Sequence, residues 1–489
     1  MTSTSASFSA NLASLLGPSR VLTDPVACGA YAVDETIPAA VAKPASAEEV
    51  AEIVRFAALE KLALIPCGNC TKLGIGMPPS RYDIALDMTA LNKIAHYDPG
   101  DLTLSVDAGL PLAKLNAALL EHKQFLPLLV PWYSRSTVGG TIASGIDSPL
   151  RQFYGTARDF LIGAEFVDGT GKLCKSGGRV VKNVTGYDLH KLLIGSLGTL
   201  AIITRLNFRT YPAPLASRGF VASFPSAEGA LTLRRAMAKS SLTPLTLDVV
   251  SPELARLFAR QTPQTPEAAV FAGESQSSDE SFLPPVGDWF RPSGWQLCTA
   301  VAGTPEVLAR YERELMRLAT NSEAISAEFL DETTRPSLWG RLRESLSMLL
   351  EASAAAVIFK INILPSHHAA LFASLRQIAI RAAFPHALVA RAGGTIYFAL
   401  LPTSANDGNT TLLAQSATQI SDLLSASNGP APADRGHATL LFAPPALKHG
   451  FCVPEVSSGH AFCVQDVSAG GRLKSAFDLQ GIFAPGRFF

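Results

Sequence analysis

Two loops rich in small residues carry the first chemical signal in this sequence. Residues 66–74 read PCGNCTKLG and follow a short apolar run. Glycine and asparagine in such a loop allow several backbone N–H groups to turn inward together, which is an arrangement that holds a phosphate group. A plain turn between two strands has a similar composition, so this loop alone leaves both interpretations open.

The second loop contains the paired glycines Gly139 and Gly140 within residues 137–141. Paired glycines let the backbone approach a ligand closely where any Cβ atom would clash. Two such loops can form the walls of a single pocket. Together they favour a site for a phosphate-bearing ligand over two unrelated turns.

Cysteine usage indicates free thiols. The chain has 7 cysteines, and an odd number in so long a chain does not fit a disulfide framework. Cys67 and Cys70 form a C-x-x-C pair, which suits either a redox pair or half of a metal site. No second C-x-x-C pair follows, so we predict neither a metal site nor a redox dithiol for Cys67 and Cys70.

A third segment is too specific to be explained by hydrophobic periodicity. Residues 155–171 read GTARDFLIGAEFVDGTG, and residues 177–200 read GGRVVKNVTGYDLHKLLIGSLGTL. With the two loops, these strings resemble the FAD-binding domain of the vanillyl-alcohol oxidase superfamily, also called PCMH-type, and specifically the FAD-binding subunits of glycolate oxidases. Residues 474–488, KSAFDLQGIFAPGRF, resemble the terminal signature of the same family, where the chain returns to the flavin domain.

The resemblance implies a set of cofactor-binding residues. The first loop would cradle the FAD pyrophosphate, the second would lie on its other side, and later small residues would line the cofactor channel. The residues implied are Gly68, Asn69, Cys70, Thr71, Lys72, Gly74, Pro131, Thr137, Gly139, Gly140, Ser144, Gly145, Gly155, Ile202 and Ile203. The two isoleucines would meet the cofactor through backbone groups.

Two features of the first loop bear on the cofactor. Asn69 and Cys70 stand where the family loop usually has its second and third glycines, and a left-handed conformation at a cysteine costs about 1–2 kcal/mol. This predicts either weaker FAD binding or a reshaped loop. Thr71 stands where covalent members of the superfamily carry the histidine that attaches the flavin, so the resemblance implies FAD bound non-covalently.

Alternating strand-like and helix-like segments must position these loops. Ser46 and Glu49 predict a capping box ahead of a helix, and residues 168–171 predict a hairpin turn in which Asp-Gly supplies a positive φ. The resemblance implies an α+β protein with a PCMH-type FAD-binding domain of two α/β subdomains at residues 1–213, a ferredoxin-like α+β cap at 214–470 and a returning tail at 471–489. Two βαββ-type units would fit the cap, while residues 260–287 and 425–435 are typical of loops.

Composition and charge exclude some classes of protein. Lys and Arg total 41, Asp and Glu total 41, and only 17% of residues are charged, so the chain lacks the basic face that nucleic-acid binding needs. Its apolar runs are shorter than the roughly 20 residues that span a bilayer, and we recognise no signal peptide at the N-terminus. We expect a cytoplasmic protein, and a peripheral position at the inner face of the membrane, reached through a complex, stays open.

The resemblance also implies an activity, that of an FAD-dependent oxidoreductase of the 2-hydroxyacid or glycolate dehydrogenase type. The expected substrate is a small 2-hydroxyacid. The expected partners are the other subunits of a glycolate oxidase-type complex, a catalytic flavoprotein and an iron–sulfur protein that takes electrons from FAD, because the chain has no iron–sulfur cysteine motif of its own. Two alternatives remain: a self-sufficient FAD-dependent dehydrogenase of another alcohol or hydroxyacid, and an assembly subunit that has lost FAD.

The sequence assigns no catalytic residue. Related flavin 2-hydroxyacid dehydrogenases use a histidine cluster in the cap, whereas the 9 histidines of this chain are scattered apart from the pair His367 and His368. His437 is the best candidate for an acid–base residue, against the alternative of a hydrogen-bonded structural histidine. We therefore expect that a partner subunit oxidises the hydroxyacid or that this chain uses another base.

Overall fold

The computed structural model describes residues 3–179, 186–260, 290–331, 334–404, 407–426, 436–451 and 467–487. We call residues 3–212 the N-terminal lobe, residues 217–451 the cap lobe and residues 467–487 the C-terminal tail. The two stretches expected to be loops, residues 260–287 and 425–435, lie almost wholly outside the described ranges.

Helices and strands alternate along the N-terminal lobe. In chain order they are α1 (Ser3–Leu16), β1 (Val21–Leu22), α2 (Pro25–Gly29), β2 (Ala40–Ala42), α3 (Ala47–Glu60), β3 (Leu64–Cys67), β4 (Ile84–Asp87), β5 (Ile94–Asp98), β6 (Thr103–Asp107), α4 (Leu112–Leu120), β7 (Gln124–Phe125), α5 (Val138–Ser144), α6 (Arg151–Tyr154), α7 (Ala157–Phe160), β8 (Leu161–Val167), β9 (Leu173–Gly177), β10 (Ile202–Arg209) and β11 (Tyr211–Pro212).

The cap lobe and the tail continue the alternation. Their elements are β12 (Ser217–Phe224), α8 (Ala227–Ala238), β13 (Thr246–Val250), α9 (Pro252–Arg260), β14 (Trp295–Ala302), α10 (Pro305–Asn321), β15 (Ser326–Leu330), α11 (Arg335–Arg343), α12 (Ser345–Ala352), β16 (Val357–Asn362), α13 (His368–Arg381), β17 (His386–Ala390), β18 (Thr395–Leu400), α14 (Asp407–Ala426), β19 (His437–Phe442), α15 (Pro445–Phe451) and α16 (Val467–Phe477).

The first sheet of the N-terminal lobe carries the first of the two loops. Its strand order is β1-β2-β4-β3, and β2, β4 and β3 run parallel. The predicted capping box is present at the start of α3, because the Ser46 side chain accepts a hydrogen bond from the Glu49 N–H, and the apolar face of α3 is buried. Parallel strands end at a common edge of the sheet, so the loop that follows β3 emerges at this edge.

The second sheet of the lobe is antiparallel, in the order β5-β6-β10-β8-β9. The predicted hairpin is confirmed, because β8 pairs with β9 across residues 168–172. One detail of the prediction is wrong. The positive φ, 78°, belongs to Gly171, and Gly169 is not among the residues with positive φ. Asp168 closes this turn by accepting hydrogen bonds from the N–H groups of Thr170 and Lys172.

The cap lobe forms one sheet from two similar halves. Among the described residues its strand order is β15-β12-β14-β13-β17-β18-β16-β19, and each neighbouring pair is antiparallel. Each half is a βαββαβ unit with its first strand beside its third and fourth, which is the ferredoxin-like order, and β13 and β17 join the halves. The expected α+β class is confirmed, and each predicted βαββ unit gains a further helix and strand.

The two faces of the cap sheet have different neighbours. On β16, Phe359 and Ile361 point to the side covered by the cap helices, within one hydrophobic cluster. Ile358 on β16 and Tyr397 on β18 belong to a second cluster that includes core residues of the N-terminal lobe. Side chains alternate along a strand, so Lys360 also lies on this second face, toward the N-terminal lobe.

The C-terminal tail extends the first sheet at its β3 edge. The Leu64 N–H donates to the Ile482 carbonyl at 2.8 Å, and the Ala484 N–H donates to the Leu64 carbonyl at 2.8 Å. Asp478 fixes the turn before this contact by accepting from the Phe483 N–H at 2.7 Å. The tail thus covers an otherwise unpaired strand edge and brings residue 487 to the loop after β3. The division into residues 1–213, 214–470 and 471–489 stays a prediction.

Candidate functional site

A cavity of about 780 Å³, partly open to solvent, lies in the N-terminal lobe beneath the two small-residue loops. Its walls come from the loop after β3, the first turns of α5, the segment before β10 and the tail. The lining residues are Ile65, Pro66, Cys67, Gly68, Asn69, Cys70, Thr71, Lys72, Leu73, Met88, Ala108, Thr137, Gly139, Gly140, Ala143, Ser144, Leu197, Gly198, Ala201, Ile203 and Arg487.

The loop after β3 is tied to its surroundings by both its backbone and its side chains. Cys70 has φ +57°, in the left-handed region, whereas Asn69 is not among the residues with positive φ. Asn69 Nδ2 instead donates to the Arg135 carbonyl at 2.8 Å. The strain expected at a family glycine position is therefore present at Cys70, where it costs about 1–2 kcal/mol.

The second loop forms the start of α5 and packs directly on β6. Thr137 caps the helix, because its hydroxyl accepts from the Gly140 N–H at 3.2 Å. The Gly139 N–H donates to the Ala108 carbonyl at 2.7 Å, and a Cβ at Gly139 would stand 2.9 Å from that oxygen. A Cβ at Gly68 would lie 2.3 Å from the Thr137 hydroxyl. Glycine at these two positions lets the loops meet at the rim of the cavity.

Lys72 is a half-buried lysine in the cavity wall. Its ammonium donates to the hydroxyls of Ser136 and Thr71 and lies 5.5 Å from the centre of the Trp132 ring. Burial lowers the pKa of Lys72 to about 7, against a smaller opposing effect of Glu344 in the cap lobe. Near neutral pH the side chain is therefore divided between its charged and neutral forms, and an anion in the cavity would favour the charged form.

Arg487 enters the cavity from the C-terminal tail. Its side chain is almost fully buried, and one terminal nitrogen, Nη2, donates to the carbonyls of Leu73 and Ile75. Within the described residues, Nε and Nη1 are buried without a hydrogen-bond partner. Burial lowers the pKa of Arg487 to about 10, so the guanidinium is charged at neutral pH. Buried unpaired N–H groups are costly, and an anionic ligand would satisfy them.

Most of the residues implied by the sequence come together at this cavity. Those that line it are Gly68, Asn69, Cys70, Thr71, Lys72, Thr137, Gly139, Gly140, Ser144 and Ile203. Residues that the sequence reasoning did not single out complete the walls, above all Arg487. The signal was present in the terminal string that contains it, but that resemblance gave no indication of where this side chain points.

Five of the implied residues do not line the cavity. The carbonyls of Gly74 and Pro131 accept hydrogen bonds from Lys448 and Ser136. Gly145, with φ +61°, ends α5, and Gly155, with φ +79°, ends α6. Ile202 is fully buried in the cluster beneath α3, because it lies on the opposite face of β10 from Ile203. Contact of these five with a cofactor stays a prediction.

A polar network joins the cap sheet to the N-terminal lobe outside the cavity walls. Lys360 Nζ on β16 lies 2.9 Å from an Asp147 carboxylate oxygen and donates to the Gly145 carbonyl at 3.1 Å. Arg151 donates to the same carboxylate at 2.9 Å, and the Asp147 N–H donates to the Tyr397 hydroxyl at 3.2 Å. Asp147 thus pairs with two cations, and the network closes one contact between the lobes.

The candidate acid–base histidine does not stand at the cavity. His437 begins β19, its Nε2 lies 3.2 Å from the Thr439 hydroxyl, and burial lowers its pKa. In the part of the chain that the structure describes, no group of three or more His, Cys, Asp or Glu side chains is placed to hold a metal ion. Nor does any helix in that part combine the length and apolar character needed to cross a membrane.

Two protein families match this chain over consecutive regions. Residues 38–177 match the FAD binding domain family, and residues 213–431 match the C-terminal domain of FAD linked oxidases. The first match contains both loops of the cavity, and the second covers most of the cap sheet. The order of the two matches is that of an FAD-linked oxidase.

Curated relatives include subunits of glycolate oxidase and 2-hydroxyacid dehydrogenases. The glycolate oxidase subunit GlcE of Escherichia coli (strain K12) is 37% identical over 167 residues, which are 34% of this chain and 47% of that subunit. The D-2-hydroxyglutarate dehydrogenase of Xanthomonas citri pv. viticola is 32% identical over 212 residues, 42% of this chain and 45% of that enzyme. The chain spans about half the length of these relatives.

Solved structures share the fold at low sequence identity. The p-cresol methylhydroxylase structure with substrate bound has a TM-score of 0.75 at 16% identity and covers 100% of this chain and 97% of its own. An alkyldihydroxyacetonephosphate synthase has a TM-score of 0.68 at 17% identity, with 98% of this chain and 84% of its own covered. These likenesses confirm the PCMH-type arrangement of an FAD-binding domain and a cap.

The cavity fits FAD, the cofactor that both family matches indicate. FAD carries an anionic pyrophosphate, and Lys72 and Arg487 offer cationic side chains to such an anion. Gly68 and Gly139 line the same wall without side chains, at positions where a Cβ would clash with Thr137 and Ala108. Thr71, at the position of the covalent attachment in other members, is no nucleophile for a flavin, which agrees with non-covalent binding.

Proposed function

We propose that this chain is an FAD-dependent oxidoreductase of the FAD-linked oxidase type and, more specifically, the FAD-binding subunit of a 2-hydroxyacid dehydrogenase complex of the glycolate oxidase type. In this role its FAD receives electrons that originate from a small 2-hydroxyacid and passes them to an iron–sulfur partner. The similarity to GlcE of E. coli supports the proposal, and the other hydroxyacid dehydrogenases among the relatives support the substrate class.

The observation that carries the proposal is the cavity with unpaired cationic groups. Arg487 holds two buried N–H groups without partners among the described residues. The half-buried Lys72 ammonium contacts two hydroxyls and an aromatic ring. An apoprotein that had no use for an anion would gain stability by replacing such groups with apolar side chains. These features argue against an assembly subunit that has lost FAD.

The residues of this chain contribute binding and electrostatics. When bound, FAD supplies the chemistry of accepting a hydride and releasing electrons. Lys72 and Arg487 would hold its pyrophosphate, with Ser136 orienting the lysine ammonium. The apolar wall residues Met88, Ala143 and Ile203 would exclude water from the cofactor, and low local dielectric would strengthen the contacts to the two cations.

The cap lobe offers little support for hydroxyacid oxidation within this chain. The cap-sheet cation Lys360 is already paired with Asp147, and Arg151 shares that carboxylate. His437 is hydrogen-bonded to Thr439 on its own strand. A substrate carboxylate would have to displace the internal pairing of Lys360 before it could use this cation. We therefore place substrate oxidation in a partner flavoprotein.

Reduction of the flavin in the purified chain and in the assembled complex tests the proposal. The chain loaded with FAD is mixed anaerobically with glycolate and with other 2-hydroxyacids, and absorbance of the oxidised flavin is followed. We expect no bleaching in the isolated chain and bleaching when the flavoprotein and iron–sulfur partners that co-purify with it are present. Rapid bleaching of the isolated chain would instead support a self-sufficient dehydrogenase, and a chain without any partner would contradict the complex.

A further inference from the structure

Two thiols stand side by side in the wall of the FAD cavity. Cys67 ends β3 and is 5% exposed, Cys70 is half-buried three residues later, and both line the cavity. The Cys67 thiol donates to the Leu86 carbonyl at 3.5 Å and the Cys70 thiol donates to the Gly68 carbonyl at 3.6 Å. Cys70 also packs against the buried cluster that contains Cys67. We propose that Cys67 and Cys70 are a redox-active dithiol that a hydroperoxide oxidises to an intramolecular disulfide. The proposal rests on the FAD cavity and not on the identity of the substrate.

The geometry gives the two thiols different roles. Cys70 sits at φ +57° in the loop, on the open side of the pair. The neighbouring Cys67 side chain lowers the pKa of Cys70, and the Cys70 side chain together with burial raises the pKa of Cys67 well above its usual value. The thiolate is the nucleophilic form of cysteine. Cys70 is therefore the attacking thiol, and Cys67 is the resolving thiol beneath it.

The reaction balances with a hydroperoxide as the oxidant. The Cys70 thiolate attacks one peroxide oxygen and the O–O bond breaks, which leaves a sulfenic acid on Cys70 and a hydroxide that takes up a proton to become water. The sulfur of Cys67 then displaces the sulfenic oxygen, and its proton leaves with that oxygen as a second water. Two thiols lose two electrons in total, and hydrogen peroxide is reduced to two waters.

The sequence around the pair makes the product easy to detect. Lys61 and Lys72 bracket a tryptic peptide, residues 62–72 (LALIPCGNCTK), that contains both thiols and no other cysteine. The chain stripped of FAD is treated with hydrogen peroxide, alkylated without reduction and digested. We expect this peptide about 2 Da lighter than the reduced form and without alkylation. Recovery of the peptide with both cysteines alkylated would overturn the proposal.

Two comparisons locate the reaction. Saturating FAD should slow disulfide formation about tenfold or more, because the cofactor covers the side from which peroxide reaches Cys70. Equal rates with and without FAD would show that the pair does not react from the cavity.

Cysteine variants test the role of each thiol. In Cys67→Ser the reaction should stop at a sulfenic acid on Cys70, which dimedone traps. Cys174→Ser removes a half-buried thiol elsewhere and should leave formation of the disulfide unchanged. A dimedone adduct that forms instead on Cys67 in Cys70→Ser, and none in Cys67→Ser, would overturn the assigned roles.

Discussion

The cavity of the N-terminal lobe and the polar network beneath the cap sheet use charged groups in opposite ways. In the network, Lys360 and Arg151 both meet the Asp147 carboxylate at 2.9 Å. In the cavity, Arg487 has two buried N–H groups without a partner among the described residues. The first arrangement is complete without a ligand, and the second needs an anion to complete it.

The two regions should therefore affect different properties, the stability of the protein and its affinity for FAD. Removing one partner of a completed, partly buried ion pair leaves the other charge without its partner, so the network should contribute mainly to the stability of the contact between lobes. Unpaired cations weaken the apoprotein and strengthen an anionic complex. Variants of the two regions should therefore separate into those that change the free energy of unfolding and those that change FAD affinity.

The largest expected effect is on FAD affinity, from Arg487→Met. Hydrogen bonds to a charged group contribute about 1.5–3 kcal/mol each, so loss of the guanidinium should weaken FAD binding about 100-fold. A titration followed by quenching of flavin fluorescence measures the change. The matched control is Lys448→Met, which removes an equally buried cation that already pairs with Asp34 at 2.9 Å. That variant should lose stability with a much smaller change in FAD affinity.

Lys360→Met should lower the stability of the protein and leave its affinity for FAD nearly unchanged. Asp147 would keep Arg151 but lose one buried cation, so we expect the free energy of unfolding to fall by about 2–3 kcal/mol, less than for a carboxylate left wholly unpaired. Urea denaturation of the apoprotein measures this loss. FAD affinity should stay within about twofold of wild type. A large loss of FAD affinity would show that the network belongs to the cofactor site after all.

FAD binding should depend on pH through Lys72 in the cavity wall. Burial lowers the pKa of Lys72 to about 7, so the lysine of the free protein loses its proton as the pH rises above 7. In the complex, the bound pyrophosphate would keep the lysine protonated. FAD affinity should therefore fall by up to about tenfold between pH 7 and 8. Lys72→Arg keeps its charge throughout this range, so its affinity should be nearly constant. The same slope in both proteins would assign the pH dependence to another group.

The smallest expected effect concerns strain in the loop. Cys70 has a left-handed φ of 57°, and Cys70→Gly should raise the free energy of unfolding by about 1 kcal/mol, because glycine adopts this conformation without the steric cost. Asn69→Gly is the control. Asn69 has no positive φ and would lose its hydrogen bond to the Arg135 carbonyl, so this change should not stabilise the protein. Equal gains from both would contradict the assignment of strain to Cys70.

The sequence predicted features that depend on local patterns or short motifs. The capping box at Ser46 depends on side chains three residues apart, and the hairpin of β8 and β9 depends on one turn. The two loops carry strings close to those of a known family, so ten of the fifteen implied residues do line the cavity. The α+β class followed from the same resemblance.

The features that the sequence did not predict depend on long-range packing or on strand faces. Arg487 reaches the cavity only because the tail pairs with Leu64, more than 400 residues away along the chain. Ile202 and Ile203 are neighbours in sequence, but alternation along β10 sends their side chains to opposite faces. Asn69 is held by a hydrogen bond to the Arg135 carbonyl, a long-range contact that no local pattern encodes.

The central claim is that an anionic FAD completes the charged cavity of the N-terminal lobe. A titration of the FAD-free chain with FAD, in parallel for wild type and Arg487→Met, tests it most directly. We predict one FAD per chain for wild type and binding about 100-fold weaker for the variant. Equal FAD affinity in the two proteins, or no binding of FAD by the wild-type chain, would contradict the proposal that FAD completes this cavity.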